Sequence, residues 1–235
     1  MNSNRLKLLF MHILIGSFFS FGQDNLVTFE LRKGEVFDIL FLATLDGSQE
    51  TFKEYRQTAF PVASEMGFSP LPGFKIRETI QGNYEPTSLI LAKWTSLASR
   101  EKFLDEIEGR VPNFHDMRKK IWSIFNLTYY ELPEDYSIQL DREKVIVATA
   151  CFKKESTKAD FTEFLTQWKK AVKKTNGTLK MELVNGKSPE GYVYNPDYMA
   201  IAQWETKEEF NAFQKENLKI DADFLKNINQ FALTD

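Results

Sequence analysis

The chain has 235 residues, 43% hydrophobic and 27% charged, with 30 Lys or Arg facing 33 Asp or Glu for a formal net charge of −3. That balance excludes a self-repelling disordered chain and argues against nucleic-acid binding, which needs a basic surface to displace counterions. The one cysteine, Cys151, leaves no intramolecular disulfide, so stability must come from packing, to which 21 Phe can contribute.

Residues 1–22 read as an address rather than as structure. Arg5 and Lys7 give a short positive region, 8–15 an apolar run, and 16–22 a Gly/Ser/Phe stretch ahead of Gln23. This is the pattern of an export signal, with a retained amphipathic or membrane anchor as the alternative, and the expected location is periplasmic or extracellular. No later apolar run approaches the roughly 20 residues of a membrane-spanning helix, so no span is expected in the mature chain.

Segment 36–45 (VFDILFLATL) is an apolar run broken by one acid, as in a strand covered on both faces. Residues 49–66 place Phe52, Tyr55, Ala59 and Val62 at helical spacing, and Pro61 should kink or end that helix. Residues 73–81 alternate as a strand with Phe74, Ile76 and Ile80 on one face, and 87–94 (TSLILAKW) give the next strand. Helices are expected at 99–107 and 112–125, a closing strand at 127–132, and a linker at 133–143, which opens on Pro133, Glu134 and Asp135. The order then recurs: strand 144–152, helix 158–174, strands 177–184 and 198–204, helices 208–217 and 221–228, and a last strand 230–233. Cys151 falls in the first of these strands as a small buried apolar residue.

The two copies agree in detail as well as in order. Gly73 and Gly82 bracket one second strand, Gly177 and Gly186 the other. The third strands end in Ala92-Lys93-Trp94 and Ala202-Gln203-Trp204, and helices bearing Glu101-Lys102-Phe103 and Glu208-Glu209-Phe210 follow. One feature conflicts: aligning the glycines sets Ile76 opposite Lys180, so the apolar face changes parity between copies. A register shift or a β-bulge is required.

The order βαββαβ, with Leu91-Ala92-Lys93-Trp94 and Ile201-Ala202-Gln203-Trp204 each followed by a Phe-bearing helix, resembles the dimeric α/β-barrel (ferredoxin-like) superfamily. The stretch Val111-Pro112-Asn113-Phe114 to Arg118 is similar to a segment of its antibiotic-biosynthesis-monooxygenase-like members. The resemblance implies an α+β fold of two tandem ferredoxin-like domains, 36–132 and 144–235, forming an intramolecular dimeric α/β barrel. Members usually obtain the second sheet by homodimerisation; a duplicated chain supplies it internally, so a monomer is expected. The haem-degrading branch uses an Asn on the first strand, a Trp on the second helix and a His beyond it. Here Asp38, Glu106 or Ile107, and His115 stand at those places, and no cofactor is expected.

His115, the one histidine after residue 22, lies beside the stripe Phe114, Met117, Ile121 and Phe125. It reads either as a boundary residue or as a catalytic base. With no second His after residue 22 and the one cysteine, Cys151, read as buried in a strand, a metal site is not expected. Trp94 and Trp204 are core residues or walls of a pocket for a planar apolar ligand. Glu78 is a buried acid, or one paired with Arg77, Lys75 or Lys93; with Arg77 it completes the candidate ligand contacts. Arg118 is expected to pair with Asp116 or Asp105, or to hold an anion. The expected function is an exported barrel protein binding a small apolar ligand. The alternative is a cofactor-independent monooxygenase- or isomerase-like enzyme with His115 as base.

Overall fold

The structure is a computed structural model that describes residues 25–155, 158–189, 192, 194–223 and 225–234. The expected export signal at 1–22 lies outside the described residues. The described chain opens with β1 (Leu26–Leu31). The first copy of the repeat comprises β2 (Val36–Thr44), α1 (Gln49–Glu65), β3 (Phe68–Gln81), β4 (Ser88–Trp94), α2 (Leu97–Arg110), α3 (Phe114–Ile121) and β5 (Trp122–Glu131). After β6 (Tyr136–Asp141), the second copy comprises β7 (Val145–Lys153), α4 (Lys158–Lys174), β8 (Thr178–Val184), β9 (Tyr198–Trp204), α5 (Lys207–Asn217) and β10 (Leu225–Thr234).

Eight strands run in the order β5-β2-β4-β3-β10-β7-β9-β8, the same order of equivalents in each half. The halves join where β3 and β10 pair antiparallel from Lys75–Thr234 to Gln81–Gln230. At the two outer edges, Tyr129 of β5 and Lys187, three residues beyond the end of β8, form one bridge and exchange backbone hydrogen bonds of 2.8 and 2.9 Å. The sheet therefore closes on itself as a barrel, the intramolecular dimeric α/β barrel that the resemblance implied.

Strands covered on both faces explain the continuous apolar runs. Phe37, Ile39 and Phe41 of β2 and Ile146, Ala148 and Ala150 of β7 point into the barrel. Val36 faces the helices of the first half, and Val147 with fully buried Cys151 faces those of the second. Burial pushes the Cys151 thiol far up, so it stays protonated. Bulges resolve the parity conflict: Lys180 is the extra residue between the pairs Leu179–Ala202 and Met181–Ile201. In β3, Arg77 is extra between Ile76–Leu233 and Glu78–Ala232. Phe74 and Ile76 therefore pack on the interior while Ile80 packs on the second helix layer.

Both mouths of the barrel are filled. The ribbon β1–β6 lies across the end where β4 and β9 finish, sending Val27, Phe29, Leu31, Ile138 and Leu140 into the interior. Lys93 donates to the Glu30 carbonyl at 3.2 Å, and Gln203 accepts from the Asp141 amide at 2.9 Å. At the other end the β8–β9 loop inserts Tyr194, 2% exposed, against Phe41, Tyr84 and Phe152.

Four local expectations differ from the structure. Pro61 sits inside α1 without ending it, because it lies on the exposed side where water can satisfy the carbonyl that loses its partner. Helix α3 stops at Ile121, and β5 begins at Trp122, so 122–125 are strand rather than helix. Residues 225–228 belong to β10, not to a helix, because pairing with β3 and β7 outweighs local spacing. The segment 133–143 carries strand β6 rather than irregular chain.

Candidate functional site

The two tryptophans that end equivalent strands sit in equivalent cores. Trp94, 2% exposed, donates its indole N–H to Asp38 at 3.0 Å and packs on Phe68 and Phe103. Trp204, 1% exposed, donates to the Thr175 hydroxyl at 3.2 Å and packs on Phe210 and Phe213. Gly177 is required beside it, since a Cβ there would stand 2.6 Å from the indole. Each strand is followed by a helix capped by a hydroxyl: Ser96 accepts from Ser99 N, and Thr206 forms a capping box with Glu209. These repeated residues are scaffold, and neither indole lines a hollow described below.

Asp38 is committed as well. Both its oxygens accept from Arg100 Nε, at 3.1 and 3.0 Å, with the two side chains almost wholly buried. Ile107 is buried in the first helix layer with Phe103 and Phe114. Those residues and their packing do not fit the haem of the haem-degrading branch: the acid is neutralised and the space beside it is filled with rings.

Arg77 and Glu78 are exposed on the bulged stretch of β3. Breaking the alternation at Arg77 takes Glu78 off the apolar face on which strict parity would put it, and Lys93 pairs with Glu35 instead. The structure thus brings Arg77 and Glu78 neither to Trp94 nor to His115.

His115 stands at the contact between the halves. Its Nε2 is 2.8 Å from Glu108 and its Nδ1 is 2.7 Å from the hydroxyl of Tyr192, which comes from the β8–β9 loop. A carboxylate can only accept, so the neutral ring carries its proton on Nε2, and Nδ1 accepts from Tyr192. Burial lowers the His115 pKa and the Arg118 charge lowers it further, while Glu108 works against both. Arg118 makes no bridge to Asp116, which pairs with Lys119. It lies 4.0 Å from the centre of Phe114 and 4.4 Å from that of Phe125, and its Nε donates to the Tyr55 hydroxyl at 3.0 Å.

The larger of two described hollows lies where β5 and β8 diverge beyond the Tyr129–Lys187 bridge. It measures about 290 Å³. Tyr130 and Leu183 supply its barrel-side wall, and Tyr129, Leu97 and the half-exposed Val184 the wall towards the helices. Tyr136 and Pro133 come from the approach to the ribbon, and Lys187, Glu131 and Glu182 bring charge. Burial raises the pKa values of Tyr129, Tyr130 and Tyr136, so all three phenols are donors at neutral pH. Glu182 is engaged by Lys169 and accepts from Tyr198 at 2.7 Å. The smaller hollow, about 120 Å³ beside Phe164, Leu218 and Ile228, has no ionisable residue in its wall. Sequence reasoning passed over the seam residues; the one signal was the cluster Tyr129, Tyr130 and Tyr136 around a connector.

No protein-family model and no curated protein matches the chain in sequence. Solved structures do. A mutant chlorite dismutase from Candidatus Nitrospira defluvii is similar at a TM-score of 0.50 and 8% identity, covering 87% of this chain and 93% of that one. An anthrone oxidase-like protein is similar at a TM-score of 0.48 and 14% identity, covering 88% of this chain and 94% of that one. The likeness extends over both halves and is one of fold.

Proposed function

We propose that the protein is an exported binding module that holds a small, largely apolar ligand in the β5–β8 cleft and works as a monomer. One observation carries the reading: a barrel filled inside and at both mouths keeps a hollow of about 290 Å³ where β8 stops short. Ligand pockets span roughly 300–1,000 Å³, and their walls combine apolar surface with a few orienting polar groups. Leu97, Leu183 and Val184 with three phenols make that combination. The leader pattern at 1–22 supports export, and no helix among the described residues is long and apolar enough to cross a membrane.

Native mass spectrometry of protein purified from its own host, with identification of any compound released on denaturation, tests this. A bound compound that is lost in Leu183→Trp, with an unchanged circular dichroism spectrum, supports the cleft. A bare chain in both forms moves the reading to a scaffold without ligand.

A second reading, a cofactor-independent enzyme with His115 as base, is favoured by the Glu108–His115–Tyr192 chain, which orients the imidazole as acid–base sites do. Neither described hollow touches His115, which sets this reading second. Chlorite dismutase is an enzyme on this fold, but a fold hosts many activities.

A further inference from the structure

The dipeptide Asn-Gly occurs twice in the chain, at the two ends of β8. This sequence is especially prone to intramolecular imide formation, because glycine carries no side chain to shield its own amide nitrogen. Asn176 and Asn185 also share a backbone conformation, with φ of 59° and 60°. Their surroundings differ.

Asn176-Gly177 is sealed. It closes α4 as a Schellman motif, in which the Gly177 N–H donates to the Val172 carbonyl at 2.9 Å and the Asn176 N–H to that of Lys173 at 3.2 Å. The Asn176 side-chain amide donates to Glu209 at 2.9 Å, and the glycine lies against Trp204. The nucleophilic nitrogen and the amide it would attack are each tied to another group.

Asn185-Gly186 is open. Neither the Gly186 N–H nor the Asn185 side chain has a hydrogen-bond partner among the described residues. Asn185 is exposed and lines the cleft, so water reaches it. Packing fixes glycine at 186, since a Cβ there would come within 2.5 Å of Thr128 and 2.6 Å of Tyr130. The fold keeps the reactive pair and leaves it unprotected.

We propose that Asn185 is a site of spontaneous covalent modification that loosens the β5–β8 seam. The Gly186 nitrogen attacks the side-chain carbonyl carbon of Asn185, and the new C–N bond closes a five-membered imide. The proton of that nitrogen leaves with the amide group as ammonia. Water then opens the imide. Addition at the side-chain carbonyl gives an aspartate; addition at the main-chain carbonyl gives an isoaspartate, whose chain runs through Cβ and Cγ. Either path exchanges ammonia for water with no change of oxidation state. Either product sets a further carboxylate beside Glu131 and Glu182, with Lys187 the one cation of the lining. The isoaspartate also lengthens the main chain by a methylene two positions before Lys187, whose paired hydrogen bonds with Tyr129 close the barrel. This chemistry is independent of any ligand in the cleft.

Ageing the full protein at neutral pH, with peptide mass spectrometry that separates aspartate from isoaspartate, tests it. In the folded chain Asn185 is expected to convert at least tenfold faster than Asn176, whereas in urea the two convert at similar rates. Asn185→Gln, which would need a six-membered ring, removes the change at 185 and leaves Asn176 as it was. In the isoaspartate form, amide hydrogen exchange at Tyr129 and Lys187 is expected to speed up while that at Phe231, in the β3–β10 ladder, is unchanged. An Asn185 that converts no faster than Asn176 in the folded chain overturns the site. A gap that persists in urea belongs to local sequence and overturns the role given to the fold. Conversion without faster exchange at Tyr129 and Lys187 overturns the loosening of the seam.

Discussion

Where β3 meets β10, the halves share a ladder running from Lys75–Thr234 to Gln81–Gln230. Where β5 faces β8, they share the bridge Tyr129–Lys187. The strands at the two seams are equivalents in the repeat. Strands β5 and β10 are both 10 residues long, so the difference lies in their partners: β3 has 14 residues and β8 has 7. Asn185, in the left-handed region at φ 60°, ends β8 just before Gly186. Two identical subunits would carry identical seams. Duplication within one chain lets one seam hold the halves together while the other parts and leaves a cleft.

The comparison breaks most sharply at the interior residues beside each seam. Phe231 is fully buried and lies 4.7 Å from Phe41 between ring centres, so Phe231→Ala is expected to cost about 3–5 kcal/mol in urea unfolding. Leu183→Ala, beside the cleft, is expected to cost about 2 kcal/mol, because part of its surroundings is already open. Equal losses would mean that the β5–β8 seam is as tightly packed as the other.

Glycines sharpen the same contrast. At Gly82 (φ +112°) a Cβ would stand 2.9 Å from the Ile228 carbonyl and closer still to Asn229, so Gly82→Ala should cost roughly 2–3 kcal/mol. Gly186→Ala meets the side chains of Thr128 and Tyr130, which border a space into which they can shift, so about 1 kcal/mol is expected. Reversal of that order in denaturation midpoints would contradict the assignment of the rigid seam.

The smallest effect concerns the loop that supplies Lys187 and Tyr192. The His115 pKa is lowered in the folded chain from its ordinary 6.5, chiefly by burial. As pH falls from neutrality the unfolded chain takes up this proton first. The contribution of His115 to stability is therefore complete above about pH 6.5 and declines as pH falls through the lower folded value. Urea midpoints of the native chain should show a slope in that window that His115→Gln lacks; parallel curves would mean that the contact to Tyr192 is not sensed by the fold. Light scattering at every pH should report a monomer, since both faces of the sheet are covered within one chain.

Much of the fold was legible because its signals are local. Apolar runs such as that of β2, the two Trp residues that end β4 and β9, and the paired glycines all fall within short windows, and together they disclose the repeat. What escaped depends on partners distant in sequence. Residues 225–228 carry an apolar spacing compatible with a helix, and only β3 and β7 on either side make them strand. Tyr192 meets His115 across 77 positions. The cleft is the extreme case, because its walls Tyr130 and Leu183 lie in different halves and its existence follows from a difference in strand length. Trp94, Trp204, Arg77 and Glu78 were conspicuous in the sequence through their place in the repeat, which is a signature of scaffold as readily as of chemistry.

Strand β10, residues 225–234, lies in the middle of the eight-stranded order, between β3 and β7. The piece that joins the halves is thus synthesised after the other nine described strands. Until it is made, β3 and β7 each present a bare edge, and Phe37, Phe41 and Phe74 lack the cover of Phe231. Nascent chains of this design wait in a sticky, unlocked form whose lifetime is set by synthesis rather than by intrinsic folding speed. Under the export proposed above, that delay would be an advantage: the barrel cannot lock until β10 is available.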